Sequence, residues 1–494
     1  MSSSPHLAHS GPKAAAARWV LWVALALAVL SCLPVVVARY PQMSDYPAHL
    51  ARYAVMLDAG RSADLARYYS FEWRWTGNVG VDLLIRPFAA LFGLEAGGRL
   101  IAGLIAPLTG FGLLACEWVL RRRIGPASLL AFAFIWSPMM LIGLMNYALG
   151  QALALLGFAL WVALAHKSWR WAVFVPVGLI VWLCHLSAWG VLGLLVFGYE
   201  WSRHKDWRPF VAPWPLLAPL VVMVLVPGTS SSFSYGPHWW VYKQAIWMKA
   251  MRDTVYPLDF LGLVVVASAV LGAVVFRRID GRLGWAALVL VIGSIAVPRH
   301  ISGGDYADYR LVTTGLMVAC LAIDWPMNGK VARVLLLAAP ALFLARLVVT
   351  TQSWAADSAR TGELLQALDH VPRGARVASA VLVPRDVWQL QHFEHIGAYA
   401  VVRRHAWSNA NFAVANVHML HLTPAAPRFA DPSQRLLQTM RQPVDLARFA
   451  PAAHADYLWY VGDKSPASLP VGAVVIWRSR HSLLARLANR AQAD

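Results

Sequence analysis

Apolar runs long enough to cross a lipid bilayer recur from Ala14 to Thr350, and this recurrence excludes most folds at once. Backbone polar groups in hydrocarbon must be satisfied within their own segment, so such runs fold as helices and pack as a bundle. Residues are 59% hydrophobic and 14% charged, about half the charge of an average soluble domain. The composition is that of a polytopic, mainly α membrane protein. The net charge is +18, but the cations cluster in short segments between apolar runs. Topology and anionic lipid account for that excess, and no nucleic-acid motif accompanies it. Cys32, Cys116, Cys184 and Cys320 each lie in an apolar run without Cys-x-x-Cys spacing. Neither a disulfide framework nor a zinc site follows.

A polar tail, 1–15, precedes a first span at 16–37. That run is too long, and lacks a small-residue cleavage site, for a removed signal peptide. The region 39–98 is mixed rather than apolar. Within it, Val79 to Leu94 contains Asp82 and Arg86, and reads as an amphipathic helix lying at the interface. With that choice Arg121-Arg122-Arg123, Lys167/Arg170, Arg203/Lys205/Arg208, Arg277/Arg278/Arg282 and Lys330/Arg333 fall on one side with Lys13 and Arg18. This is the positive-inside pattern. Further spans are expected at 99–120, 126–145, 147–166, 170–184, 187–201, 209–227, 256–276, 283–298, 311–324 and 332–349, about eleven in all. The pair 170–184 and 187–201 also reads as one broken helix, which would reverse the sidedness downstream. Trp136, Trp161, Trp169, Trp171, Trp201, Trp207, Trp239 and Trp240 sit near expected span ends, as interfacial anchors do.

Three domains follow: a cytoplasmic tail 1–15, a transmembrane bundle 16–350 with its outer loop 39–98, and an outer α/β domain 351–494. The last is expected to hold a helix at 355–370, strands at 375–383, 398–402, 456–461 and 473–477, and a helical end. It has no phosphate-binding glycine motif. No internal repeat of the transporter kind is present.

Just beyond the first span lies Ser44-Asp45-Tyr46-Pro47-Ala48-His49. If Asp45 opens a helix, Asp45, His49 and Arg52 share one face, with Leu50, Tyr53, Ala54 and Leu57 on another. The other polar groups at expected outer ends are Asn146 and Gln151, His185, His238, Lys243, Lys249 and Arg252, and Arg299, His300, Asp305, Asp308 and Arg310. Ionisable groups at a membrane edge mark sites or pathways. Few carboxylates among many cationic donors suit an anionic ligand with an apolar tail, such as a lipid phosphate. Simpler roles stand beside these. Asp45 suits an N-cap, Arg52 can snorkel to headgroups, and Asn146 and His185 can bridge packed helices. Asp305 and Asp308 with Asp45 are candidate ligands for a divalent cation. His392, His395, His405, His418 and His421 read as surface histidines rather than a metal site.

The architecture resembles the GT-C class of membrane glycosyltransferases. These share a multi-span bundle, an acidic residue just after the first span, amphipathic helices in the first outer loop, and an outer C-terminal domain. At residue level the likeness is carried by Ser44-Asp45-Tyr46-Pro47-Ala48-His49. Tyr46 stands where some members have the second acid of an Asp-Glu pair, and Asn146 where some place a further acid; metal dependence and subfamily stay open. The resemblance implies a bacterial inner-membrane enzyme with a periplasmic C-terminal domain. Such an enzyme transfers a sugar, with inversion, from a polyprenyl-phosphate donor to a lipid, glycan or protein acceptor. Asp45 is then the base, aided by His49. Arg52, Asn146, His185, Lys243, Arg299, His300, Asp305, Asp308 and Arg310 are the candidate substrate-binding groups. The rival readings are a polymerase or ligase of lipid-linked glycans, and a non-enzymatic transporter or flippase of an anionic lipid.

Overall fold

The computed structural model describes residues 12–225, 232–301, 303–385, 387–414, 418–428, 435–439 and 441–488. Most of the polar tail, and the end of the chain after 488, lie outside the described residues. Among the described residues, six helical stretches are long and apolar enough to cross a bilayer: Arg18–Val37, Leu94–Arg121, Met145–Ala163, Arg208–Leu225, Tyr256–Val275 and Lys330–His370. Shorter apolar helices stand beside them at Arg170–Cys184 and Gly281–Ala296. The run expected as one span at 126–145 is broken into Pro126–Ala131, a 3-10 turn and Pro138–Ile142, and is almost wholly buried. A segment covered by protein on all sides need not match the bilayer thickness.

The principal helices are α1 Pro12–Leu30, α2 Tyr46–Asp58, α3 Gly80–Phe92, α4 Leu94–Arg121, α5 Met145–Ala163, α6 Arg170–Cys184, α7 Leu186–Arg203, α8 Trp239–Met248, α9 Tyr256–Val275, α10 Gly281–Ala296, α11 Ala307–Ala322 and α12 Lys330–Leu364. Small residues let them approach closely. A Cβ on Gly110 would stand 2.9 Å from Ala28 of α1, and one on Gly150 2.8 Å from Ala188 of α7. The 13 residues of α3 span about 20 Å, too short to cross. The helix ends at Gly93, whose φ of +81° turns the chain into α4. It buries Asp82 and Ile85 and exposes Leu91 and Phe92, as an interfacial helix should. Helices α6 and α7 are separate, joined at His185 in extended conformation. Their junction is pinned to the first loop by Leu186 N–H to Gly77 O (2.8 Å) and Val79 N–H to Leu183 O (2.7 Å). The broken single helix is thereby excluded.

The expected inner basic clusters meet at the opposite end of the bundle. There Arg121 lies 3.4 Å from Asp280, Arg123 2.6 Å from Asp324 and Arg282 2.7 Å from Asp280. Trp169, Trp171, Trp207, Trp239 and Trp240 are exposed as interfacial anchors require, whereas Trp136 and Trp161 are core residues. Trp136 donates to Ser31 O and Trp161 to Glu200.

The helix expected at 355–370 is not separate: α12 runs unbroken for 35 residues past the expected boundary at 350. Beyond it lie strands β2 Arg376–Pro384, β3 Trp407–Ser408, β4 Leu420–Leu422, β5 Leu436–Gln438, β6 Tyr457–Val461, β7 Val474–Ser479 and β8 Ser482–Arg486, after a first strand β1 Tyr69–Phe71 in the outer loop. The sheet order is β7-β8-β6-β2-β3, with β5 also on β2. Strands β3, β5 and β6 run parallel to β2, and β8 antiparallel to β6. Two expectations fail here. Residues 399–404 form a helix, α13, because the preceding 3-10 turn and packing against α2 override the β-branched Val401-Val402 pair. The described end of the chain is strand β8, paired on both sides, not a helix.

Strand β1 pairs antiparallel with β4, Tyr69 opposite Leu422. Ser44 donates to Gln391 O (2.8 Å), and Arg403 grips Glu95 with two bonds of 3.0 Å. These contacts tie the first loop to the C-terminal domain.

Candidate functional site

Asp45 occupies the N-cap position of α2, but its side chain makes no capping bond. Pro47 fits the first turn, where no N–H is needed. The backbone is fixed instead: Asp45 N–H donates to Ile142 O at 2.8 Å. Gly143, at φ +106°, allows this approach, since a Cβ there would stand 3.2 Å from Asp45 Cβ. The carboxylate is therefore held by position and free for other work.

Around it stand residues from three parts of the chain. His395 Nε2 lies 3.6 Å from Asp45 Oδ1, just beyond a hydrogen bond. Glu394 is paired with Arg435 at 2.6 Å. Asp305 and Tyr306, at the start of α11, lie within electrostatic reach. Burial, then Glu394 and Asp305, push the Asp45 carboxyl up to about 8, with Arg435 opposing. At neutral pH it is mostly protonated. Burial, with Arg435, pushes His395 down to about 3, so this imidazole is neutral. Burial, then Arg52, hold His49 well below the usual imidazole range, so it too is neutral, its buried Nδ1 unpartnered among the described residues. His49, His395 and His418 surround the Phe412 ring at 5.1, 5.3 and 5.2 Å between centroids.

The basic groups divide into held and unheld. Lys243 of α8 is 2.6 Å from Asp308 and donates to Ser294 O and Val297 O. Arg299 chelates Asp305 with two bonds of 2.7 Å, and His300 sits 3.5 Å from the same carboxylate. Arg310 differs. It is only 9% exposed, yet its guanidinium has no carboxylate or hydrogen-bond acceptor among the described residues. Its one described contact is the Tyr147 ring, 5.7 Å away. Asp305 lies within electrostatic reach of both Arg310 and Asp45. A buried guanidinium without a counter-charge is costly in a protein interior, and an anionic ligand would supply that charge.

Three sequence candidates are engaged in contacts that hold the fold. Arg52 and Asp82, 2% and 0% exposed, form a buried pair at 2.9 Å. Asn146 donates to Asp82 and to Asn78 O and accepts from Val81 N–H, which fastens the start of α3. His185 Nδ1 caps α7 by accepting from Ser187 N–H, its ring edge on Tyr147. Arg52→Met is expected to lower stability by about 3–5 kcal/mol, because Asp82 is left buried with its Asn146 hydrogen bond but no counter-charge. The double variant Arg52→Met/Asp82→Leu should recover most of that loss. Thermal unfolding in detergent measures both.

His395, Glu394 and Arg435 were missed as site residues. The surface reading of the histidines fails at His392, 6% exposed and 2.8 Å from Asp357, and at His395, 4% exposed. The one local signal was His392-x-x-His395, two imidazoles close together before an apolar stretch. Among the described residues, no group of three or more His, Cys, Asp or Glu side chains is arranged to hold a metal ion.

The six long apolar helices, with the first outer loop tied to the C-terminal domain, define a multi-pass membrane protein. The chain is similar over 95% of its length to the crystal structure of ArnT from Cupriavidus metallidurans in the apo state, covering 98% of that chain, with a TM-score of 0.51 and 13% identity. No protein-family model and no curated protein matches the sequence.

Proposed function

We propose that this protein is a membrane glycosyltransferase that moves a sugar from a polyprenyl-phosphate-linked donor to a lipid, glycan or protein acceptor. The reaction takes place at the outer face of a bacterial inner membrane, with the C-terminal domain periplasmic. The reading rests on one juxtaposition: an uncapped carboxylate, Asp45, and an unpaired buried guanidinium, Arg310, share Asp305 as a neighbour. Asp45 takes the proton of the acceptor hydroxyl. The acceptor oxygen bonds to the anomeric carbon as the carbon–phosphate-oxygen bond breaks, so the configuration inverts. The electron pair leaves on the polyprenyl phosphate, whose charge Arg310 balances by charge-assisted bonds. The phosphate leaves well without protonation, so a second carboxylic acid is not needed. Neutral His395 and His49 keep Asp45 in place and offer the acceptor uncharged polar contacts. Arg299 and His300 remain at the rim through Asp305.

The test uses purified full-length protein in nanodiscs and a panel of polyprenyl-phosphate sugars. Release of free polyprenyl phosphate, followed by mass spectrometry, is the expected result. Movement of intact donor across vesicle membranes without cleavage would instead mark a flippase.

A further inference from the structure

A cavity with a cationic lining lies at the other end of the bundle and takes no part in the proposed chemistry. Its volume is about 370 Å³. It forms where the end of α5, the start of α6, the end of α7 and residues 207–215 converge. These are the helix ends remote from the His185 junction and hence from Asp45. Its cations are Lys167, Arg170 and Arg208, with His204 beside them. The one carboxylate in the lining, Glu200, is already engaged, accepting from Trp161 Nε1 at 2.8 Å and lying 3.2 Å from Arg170. Arg170 is further fixed by stacking 3.9 Å over the Trp161 ring, which is itself 1% exposed. Among the described residues Lys167 has no anionic partner, and Arg208 reaches only Asp206, at 3.5 Å on the surface. Trp171 and Trp214 stack at the mouth, both about half exposed, with Trp207 exposed next to them. Exposed indoles mark the headgroup level of a bilayer. The cavity therefore combines a fixed cationic floor, an unneutralised excess of positive charge and an opening at the depth of lipid headgroups.

We infer that this cavity binds the phosphate of an anionic phospholipid in the leaflet opposite Asp45. A basic pocket between transmembrane helices selects anionic headgroups over zwitterionic ones. A soluble phosphate offers the same chemistry, and the experiment separates the two.

The protein is delipidated in detergent and titrated with phosphatidylglycerol, phosphatidylcholine or inorganic phosphate, with native mass spectrometry and thermal unfolding as readouts. Expected is saturable retention of phosphatidylglycerol with a matching rise in melting temperature, and neither effect with phosphatidylcholine or inorganic phosphate. Lys167→Gln/Arg208→Gln alters two exposed side chains and should weaken phosphatidylglycerol retention about thirtyfold. Lys330→Gln/Arg333→Gln removes two charges from the same end outside the cavity and should leave retention unchanged. Equal loss in both double variants would reduce the effect to general surface charge and overturn the proposal. A full shift with inorganic phosphate would assign the site to a soluble anion and overturn the lipid assignment.

Discussion

Asp45→Asn lowers sugar transfer by about a thousandfold, the expected size for removing a positioned general base, and leaves the fold intact. The second half of this expectation is as specific as the first. The Asp45 side chain makes no capping bond, so an amide of the same shape breaks no helix start. Stability gives an independent check. A carboxyl raised to about 8 in the folded protein ionises near 4 when unfolded. Between those values the folded state holds the proton and the unfolded state releases it, so stability falls as pH rises from about 4 to 8. The asparagine variant should lose that decline and unfold at higher temperature than the parent at pH 8. Activity moves the other way: the base form appears as pH rises through about 8, so turnover should climb to that point and then level off. A variant that keeps near-parental turnover would remove Asp45 from the chemistry and favour a ligase or transporter, neither of which needs this base.

How much of this could be read from the sequence follows from the range of each interaction. Apolar runs, positive clusters and the short, charged α3 are local signals, and they foretold the bundle and the interfacial helix. Asp45 was legible because it lies just past the first span. The sorting of the cations was not. Lys243 meets Asp308 across 65 positions, and Arg52 meets Asp82 across 30. No periodicity records such pairs, so Lys243, Arg52 and Arg310 looked alike. The histidine beside Asp45 comes from the far end of the chain, carried there by β1–β4 pairing and the Arg403–Glu95 clasp. In the C-terminal domain, propensity failed at Val401-Val402, where packing against α2 decided the conformation. The final strand, β8, was hidden because its partners β6 and β7 precede it and its own pattern is short.

The difference between Arg310 and its basic neighbours leads to the second large effect. Arg310→Met is expected to raise the KM for a polyprenyl-phosphate donor by about a hundredfold, the scale of losing one desolvated charge-assisted contact to phosphate. Its effect on stability should be neutral or favourable. The parent side chain is buried with no ion pair or hydrogen bond to its guanidinium among the described residues, Asp305 and Asp308 acting on it only at longer range, and methionine fills similar space without the desolvation penalty. Lys243→Met should do the reverse. It strands Asp308, 0% exposed, and so lowers the melting temperature sharply, while the donor KM in whatever protein folds stays close to parental. Arg310→Lys refines the test, because it keeps the charge and loses the planar fork; an intermediate KM is expected. Should Arg310→Met instead lose stability as Lys243→Met does and bind donor normally, the guanidinium is a structural group. The phosphate would then have to be met by the rim pair Arg299 and His300, with Asp305 released to the solvent.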